Sequence, residues 1–355
     1  MQDPHDAKSG GSESIPVAKE KRNIILGGAA LTLLLLLLVF AIKFPALVER
    51  LNNAAADVQI GLLPKPTLSP LPVIVEVDEK SLAVYGQWPW PRYQVARLLA
   101  AIEQSGAAAV GIDAVFVEKD RTSPLEIQRV IEQDLQQKLP LTNIEESLWD
   151  YDTILGQTLS AAPFVLSYFF TFDNAGDNPC QPKSANGAWL AADGESKPPP
   201  IYNAKNIVCN VQTIQARAYA NGFINTAPDN DGIYRKTPLV IEYQGRYYPS
   251  LALQTYLTAK STDHFLLSAS ETGLTLQAGK TSVPLDKAGN LLLKFPAKGL
   301  NFEKISAADL LAGNIDINRI KDKIVFVGFS AAGLHEVRPT PYAPQFLGVE
   351  LHAAI

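Results

Sequence analysis

Two aspartates open the chemical reading of this 355-residue chain. Asp78 follows the β-branched run VIVEV, which begins at Val73, and Asp113 lies in AAVGIDAVF, a second run that reads as a buried strand. An open parallel sheet forms its ligand crevice at the carboxyl ends of its strands, and acids placed there can bind a cation or accept hydrogen bonds from a ligand. Fixing nearby loops through backbone N–H groups is the competing use, and it weighs slightly more. Glu118, just past the second run, joins the same rim. Arg92, at the start of a helix expected over 92–104, can anchor the turn QWPWPR against an acid. In GFSAAG, residues 328–333, a glycine-rich strand-to-helix turn around Ser330 offers N–H groups to an anion, against the plainer reading of chain reversal. The candidate ligand-binding set is therefore Asp78, Arg92, Asp113, Glu118 and Ser330.

Other patterns fall short of known chemistries. Two residues separate Ser330 from Gly333, which misses a nucleophile elbow, and the lysine of a P-loop is missing. Asp229-Asn230-Asp231-Gly232 begins like a calcium loop, but Ile233 and Tyr234 stand where a ligand and the glycine belong. A tight turn explains it better, with Asp231 and Gly232 in structural roles. The four histidines, His5, His264, His335 and His352, show no metal-site spacing. No catalytic residue, metal or cofactor is expected. Trp88 and Trp90, each followed by proline, read first as packing over a helix start. Cys180 and Cys209 flank a Pro/Gly/Asn-rich stretch and form a candidate disulfide in an oxidising compartment, two unpaired thiols being the alternative. Lys and Arg total 31 against 36 Asp and Glu, a net charge of −5, which argues against a nucleic-acid partner.

The elements that position these residues begin with a membrane segment. Ile24 to Ile42 is 19 residues without a charge, and at about 1.5 Å per residue it spans nearly all of a hydrocarbon layer of roughly 30 Å. A cleaved signal peptide is a poorer fit, because the run is long and Ala54-Ala55-Ala56 lies far beyond it. Lys19, Lys21 and Arg22 precede the span and only Lys43 follows closely, so the positive-inside rule puts residues 1–23, a disordered tail, in the cytoplasm and residues 43–355 outside. Next, Phe44, Leu47, Leu51, Ala54 and Val58 recur at helical spacing up to Pro64 and Pro66. That seam suits a homodimer or a helix laid on its own domain equally well. Residues 43–66 are thus a juxtamembrane helix and linker, and residues 67–355 one external domain with insertions at about 118–150 and 172–206. Within it, strand, helix and strand over 73–116 make a βαβ unit. Further strands are expected at Phe164–Phe169 and Ile324–Val327, a hairpin around Gln244-Gly245 precedes a helix near Pro249, and residues 265–295 hold short alternating runs. The fold class is α/β: a mixed sheet with a parallel βαβ core, antiparallel additions and helices on its faces, preceded by one transmembrane helix.

Six stretches in order, VIVEVDEKSLAVYGQWPWPR, GAAAVGIDAVF, GFINTAPDNDGIYRKTPLV, YYPSLALQTY, DKIVFVGFSAAGLHEVRPTP and LGVELHAAI, make the chain similar to the CHASE type-two domain, an extracellular sensory domain of bacterial receptors. WPWPR, DNDGIYRK and the ordered pair VGFSAAGL and GVELHA are specific together. The chain departs from the family at Glu336, where Asp is usual, and at Leu347, where Pro is usual. The resemblance implies the input region of a transmembrane receptor whose cytoplasmic output, beyond these residues, is a nucleotide cyclase (adenylate, guanylate or diguanylate) or a kinase. It supplies no ligand. The expected mechanism is closure around the Asp78/Asp113 rim that repositions the incoming helix, 44–60, and an outgoing helix around Val349 to Ile355. A membrane-anchored external enzyme, or a dimerisation domain with no small-molecule ligand, are the alternatives.

Overall fold

The structure is a computed structural model that describes residues 15–43, 45–62, 69, 71–173, 180–190, 201–270, 273–295, 300–334 and 337–355. The chain divides into two compact units, residues 1–59 and 60–355. Helix α1 (Ile15–Lys43) contains Arg22–Phe40, a stretch of mean hydropathy 2.5, none of it buried, and is long and apolar enough to cross a membrane. Helix α2 (Pro45–Leu62) follows, with Leu47, Leu51, Ala54 and Val58 exposed. Phe44 of the expected seam lies outside the described residues, as do His335, Glu336 and residues 1–14 of the expected tail with His5; residues 15–23 of that tail are not disordered but form the start of α1.

The rest of the chain is α/β with mixed sheets. Its first half runs β1 (Pro72–Val77), α3 (Glu79–Tyr85), α4 (Arg92–Gln104), β2 (Ala109–Ile112), α5 (Pro124–Asp134), α6 (Tyr151–Ser160), β3 (Phe164–Thr171), β4 (Asn186–Leu190), β5 (Asn203–Ala204), β6 (Asn206–Val208), α7 (Gln212–Gln215) and β7 (Ala220–Phe223). Then come β8 (Lys236–Pro238), β9 (Val240–Tyr243), β10 (Arg246–Pro249), α8 (Leu251–Ala259), β11 (His264–Ala269), β12 (Leu274–Ala278), β13 (Thr281–Leu285), β14 (Asn290–Leu292), β15 (Glu303–Ser306), α9 (Ala307–Leu311), β16 (Ile324–Phe329) and α10 (Gly348–Ala354).

The main sheet has the order β15-β1-β16-β2-β3, with β7 parallel and β6 antiparallel to β3. Its central strands are β-branched and buried on both faces, as parallel strands covered by helices must be. Alternate residues separate the two layers. Val73, Val75 and Val77 join Val325, Val327, Val110 and Ile112 in one core with Val95, Leu98, Leu99 and Ile102 of α4, whose spacing of three and four is that of one helix face. Ile74 and Phe326 face the other way, onto Ala252 of α8 and Val349 and Ala353 of α10.

The second sheet, β13-β12-β11-β4-β10-β9-β5, is largely antiparallel. Its β9–β10 hairpin turns on Gln244 and Gly245, both at positive φ (51° and 75°), the backbone that a two-residue turn requires. The segment expected as an insertion at 172–206 is not an appendage throughout: β4 sits inside this sheet, between β11 and β10. Cys180 and Cys209 are bonded, with Cα atoms 6.4 Å apart.

Candidate functional site

The parallel registers fix a row of residues at the carboxyl end of the main sheet. Glu76 pairs with Gly328, and Ser167 with Gly222; one residue beyond Val327↔Ile112 and Ile112↔Leu166, Asp113 falls between Gly328 and Ser167. All five belong to the face covered by α8 and α10. A Cβ on Gly328 would lie 2.5 Å from Val349 Cβ, and one on Gly222 2.4 Å from Leu251 Cα, so both glycines are needed for the helices to approach so closely. Gly328, Ser167 and Gly222 are thus buried beneath helices, and the two acids of the row, Glu76 and Asp113, are half-buried at its edge.

Asp113 is the centre of this arrangement. Its backbone N–H donates to Val327 O at 2.9 Å, which directs the side chain toward α10. There His352 Nε2 lies 3.6 Å from Asp113 Oδ1. Arg338, 7% exposed, approaches from the segment after β16, since a Cβ on Gly348 would touch both Arg338 Nε and Asp113 Oδ2. Burial raises the carboxyl of Asp113, but His352 and then Arg338 outweigh it and hold it below the ordinary carboxylate range. Beside this group, Lys304 of β15 bridges Glu350 of α10 (2.8 Å) and Glu76 of β1 (3.7 Å), and Glu350 also accepts from Leu347 N at 2.9 Å. The first turn of α10 is therefore tied to the sheet through the Lys304–Glu350 ion pair.

Asp78 is elsewhere. Strand β16 separates β1 from β2, so the two acids do not end adjacent strands as the βαβ reading supposed. Asp78 caps α3: Oδ1 accepts from Ser81 N (2.9 Å), Ser81 Oγ (2.5 Å) and Ser306 Oγ (2.9 Å). Burial raises its carboxyl, and these hydrogen bonds together pull it below its ordinary value. Arg92 is a third, separate centre. Its guanidinium lies 3.5 Å from Asp152, donates to Glu118 O and stacks over Phe116, while its N–H donates to Asp120 Oδ2 at 2.6 Å. Glu118 contributes that carbonyl, and its own carboxylate is exposed and paired with Arg121.

The loop after β16 has its amides occupied. Ser330 N and Ala331 N donate to Val77 O, and Ala332 N donates to Glu79 Oε1 at 2.7 Å. The strand leads into a turn at 331–334, not into the helix that the glycine-rich pattern suggested. These contacts favour chain reversal over anion binding. Trp90 is buried, donates to Gly86 O and packs with Tyr85 and Trp88, and Trp88 meets Phe329 at 4.4 Å between ring centroids. Asp231 and Gly232 shape a turn in which Arg235 bonds Asp229 (3.1 Å) and Asp231 (2.9 Å), and Gly232 has φ +84°. Among the described residues no group of three His, Cys, Asp or Glu is placed to hold a metal ion.

Sequence reasoning therefore found Asp113 but not its partners. In the sequence His352 is only a histidine without a metal-site neighbour, and Arg338 only one residue of the stretch DKIVFVGFSAAGLHEVRPTP. The available signal was a histidine set directly between two apolar residues, Leu351 and Ala353, both buried.

Of the comparisons with known proteins, one matches: the sequence model of the CHASE2 domain covers residues 31–355. No curated protein and no solved structure matches the chain at a significant level.

Proposed function

The chain belongs to the CHASE2 domain family, extracellular sensory domains of receptors with cyclase or kinase outputs, and on that premise we propose that residues 67–355 form the signal-sensing region of such a receptor. The domain is sensory rather than catalytic, and α1 is an apolar helix able to anchor it in a membrane. In this reading residues 24–42 cross the bilayer, residues 1–23 are cytoplasmic, and residues 43–355 are extracytoplasmic. The output that the receptor controls is a nucleotide cyclase or a kinase, and it works as a homodimer in which α2 contributes the seam Leu47, Leu51, Ala54 and Val58.

The observation that carries the reading is the length of the family match, which runs from the apolar helix through α10. Signal reaches the output through α10. A ligand or membrane state can shift this helix only by favouring one of its positions, and the charged contacts at Asp113 and Lys304 are what differ between positions. The test is made in the receptor that carries this region, with cyclase or kinase output measured in cells. Asp113→Asn is expected to change basal output or the response to stimulus. Output identical to the parent under every stimulus that drives the parent overturns the reading.

A further inference from the structure

His352 is 5% exposed, and neither ring nitrogen has a hydrogen-bond partner among the described residues. Its ring stacks on Phe326, with centroids 6.1 Å apart and planes 28° from parallel. The imidazole is thus held between an apolar wall and Asp113, with Nε2 about 0.7–0.9 Å too far for a charge-assisted hydrogen bond of about 2.7–2.9 Å. Two unpaired nitrogens on a buried ring are costly, and so a small motion that pairs one of them with a carboxylate is favoured once the ring is charged.

The surroundings set the sign. Asp113 faces His352 from the end of β2, and Arg338 faces the same carboxylate from the segment after β16. Glu76 of β1, Lys304 of β15 and Glu350 of α10 form the neighbouring ion cluster. From α8, Thr255 reaches Gly111 and Tyr256 points its hydroxyl to Thr281, so α8 places no charge on the ring. Asp113 is the carboxylate beside the ring, and Arg338 lies on its Oδ2 side.

We propose that His352 and Asp113 form a proton-operated latch between α10 and the carboxyl end of the sheet. A proton taken up from solvent charges the imidazole, Nε2–H closes onto Asp113 Oδ1, and α10 is drawn against β2 and β16. Loss of the proton restores the longer contact and loosens the helix. Histidine is the side chain suited to this between about pH 5 and 8. The role of α10 in signalling rests on the proposed function, but the latch is a property of this chain and is tested without any output.

The experiment is amide hydrogen exchange by mass spectrometry on the full 355-residue chain in lipid nanodiscs, at about pH 5.5 and about pH 8, corrected for intrinsic exchange. Peptides covering Gly348–Ala354 are expected to exchange roughly tenfold more slowly at the acid pH. The difference is expected to vanish in His352→Gln and in Asp113→Asn. A pH effect that persists in His352→Gln, a parent with no effect, or an effect of opposite sign overturns the latch. Histidine C2–H exchange in the unsubstituted chain reads ring protonation with no variant to fold. A ring with no protonation step across that range also overturns it. If the latch holds while receptor output ignores pH, the signalling role of α10 fails and the latch does not.

Discussion

Asp78 Oδ1 accepts a hydrogen bond from Ser306 Oγ at 2.9 Å, joining residues 228 positions apart in the chain. The same oxygen caps α3 through Ser81, and Ser81 Oγ in turn accepts from Ala308 N in the first turn of α9. One carboxylate and one hydroxyl therefore tie the starts of two helices to the ends of β1 and β15. That is structural use of an acid whose position in the sequence is equally suited to ligand binding.

Asp78→Ala is expected to cost about 1–2 kcal/mol, the worth of an N-cap, in urea unfolding at neutral pH. Because the folded carboxyl lies below its ordinary value, its contribution is present above the unfolded value and is lost as pH falls through the folded one. The difference between Asp78→Ala and the parent should therefore shrink in acid. A difference that is constant down to the end of the carboxylate titration range contradicts the capping role.

Arg92 holds three segments at once: the start of α4, the loop 116–120 and the start of α6 through Asp152. Arg92→Ala leaves Asp152 in a site where burial already raises its carboxyl. The expected loss is about 3–5 kcal/mol, as for removal of one partner from a buried pair. Arg92→Lys keeps the charge but not the planar stacking on Phe116, and should recover only part of it. Thermal unfolding of both variants checks this, and equal melting temperatures for parent and Arg92→Ala would rule it out.

Elements that depend on local pattern were legible. Helix α4 follows from its apolar spacing and stops at Ser105 and Gly106, the latter at φ +78°. The β9–β10 hairpin follows from Gln244-Gly245, β1 and β16 from their β-branched runs, and β3 from its apolar, aromatic-rich run. What could not be read is strand order. Strand β16 enters between β1 and β2 from more than 200 residues downstream, and no local propensity encodes that pairing. The site shares that limit. The crevice rule places acids at strand ends, but only the inserted strand decides that Asp78 and Asp113 have separate neighbours. The partners of Asp113, Arg338 and His352, come from the same distant stretch. Likewise β4 lies in a Gly/Asn-rich segment with the look of an excursion, and its place in the second sheet comes from its neighbours β10 and β11.

Cys180 and Cys209 are separated by 29 positions, and Cys209 is packed among Tyr168, Phe170, Phe223 and Tyr248. A loop of that length removes about 3–4 kcal/mol of unfolded-state entropy in the chain-entropy model. Reduction with dithiothreitol, or Cys180→Ser with Cys209→Ser, should lower the melting temperature and speed proteolysis between the two positions. Calorimetry with and without reductant measures the first effect. A melting temperature unmoved by reductant would show that the bond does not contribute to stability.

Gly222 gives the sharpest steric prediction. It pairs with Ser167 across β3 and β7, and α8 begins directly over it. A Cβ there would lie 2.4 Å from Leu251 Cα, 2.7 Å from Leu251 N and 2.8 Å from Ser250 O. All three are backbone atoms, so no side-chain rotation can relieve the clash. Gly222→Ala must push α8 off the sheet or break the β3–β7 pairing, and a cost of about 1–3 kcal/mol or more is expected. Gly232→Ala is the control: nothing lies within 4 Å of its Cβ position, and only its φ of +84° opposes the change. That left-handed backbone costs about 1–2 kcal/mol. Only Gly222→Ala should speed amide exchange in Leu251–Ala259, because only there does the added methyl meet α8. Equal exchange of that helix in the two variants would mean that α8 is not seated on Gly222.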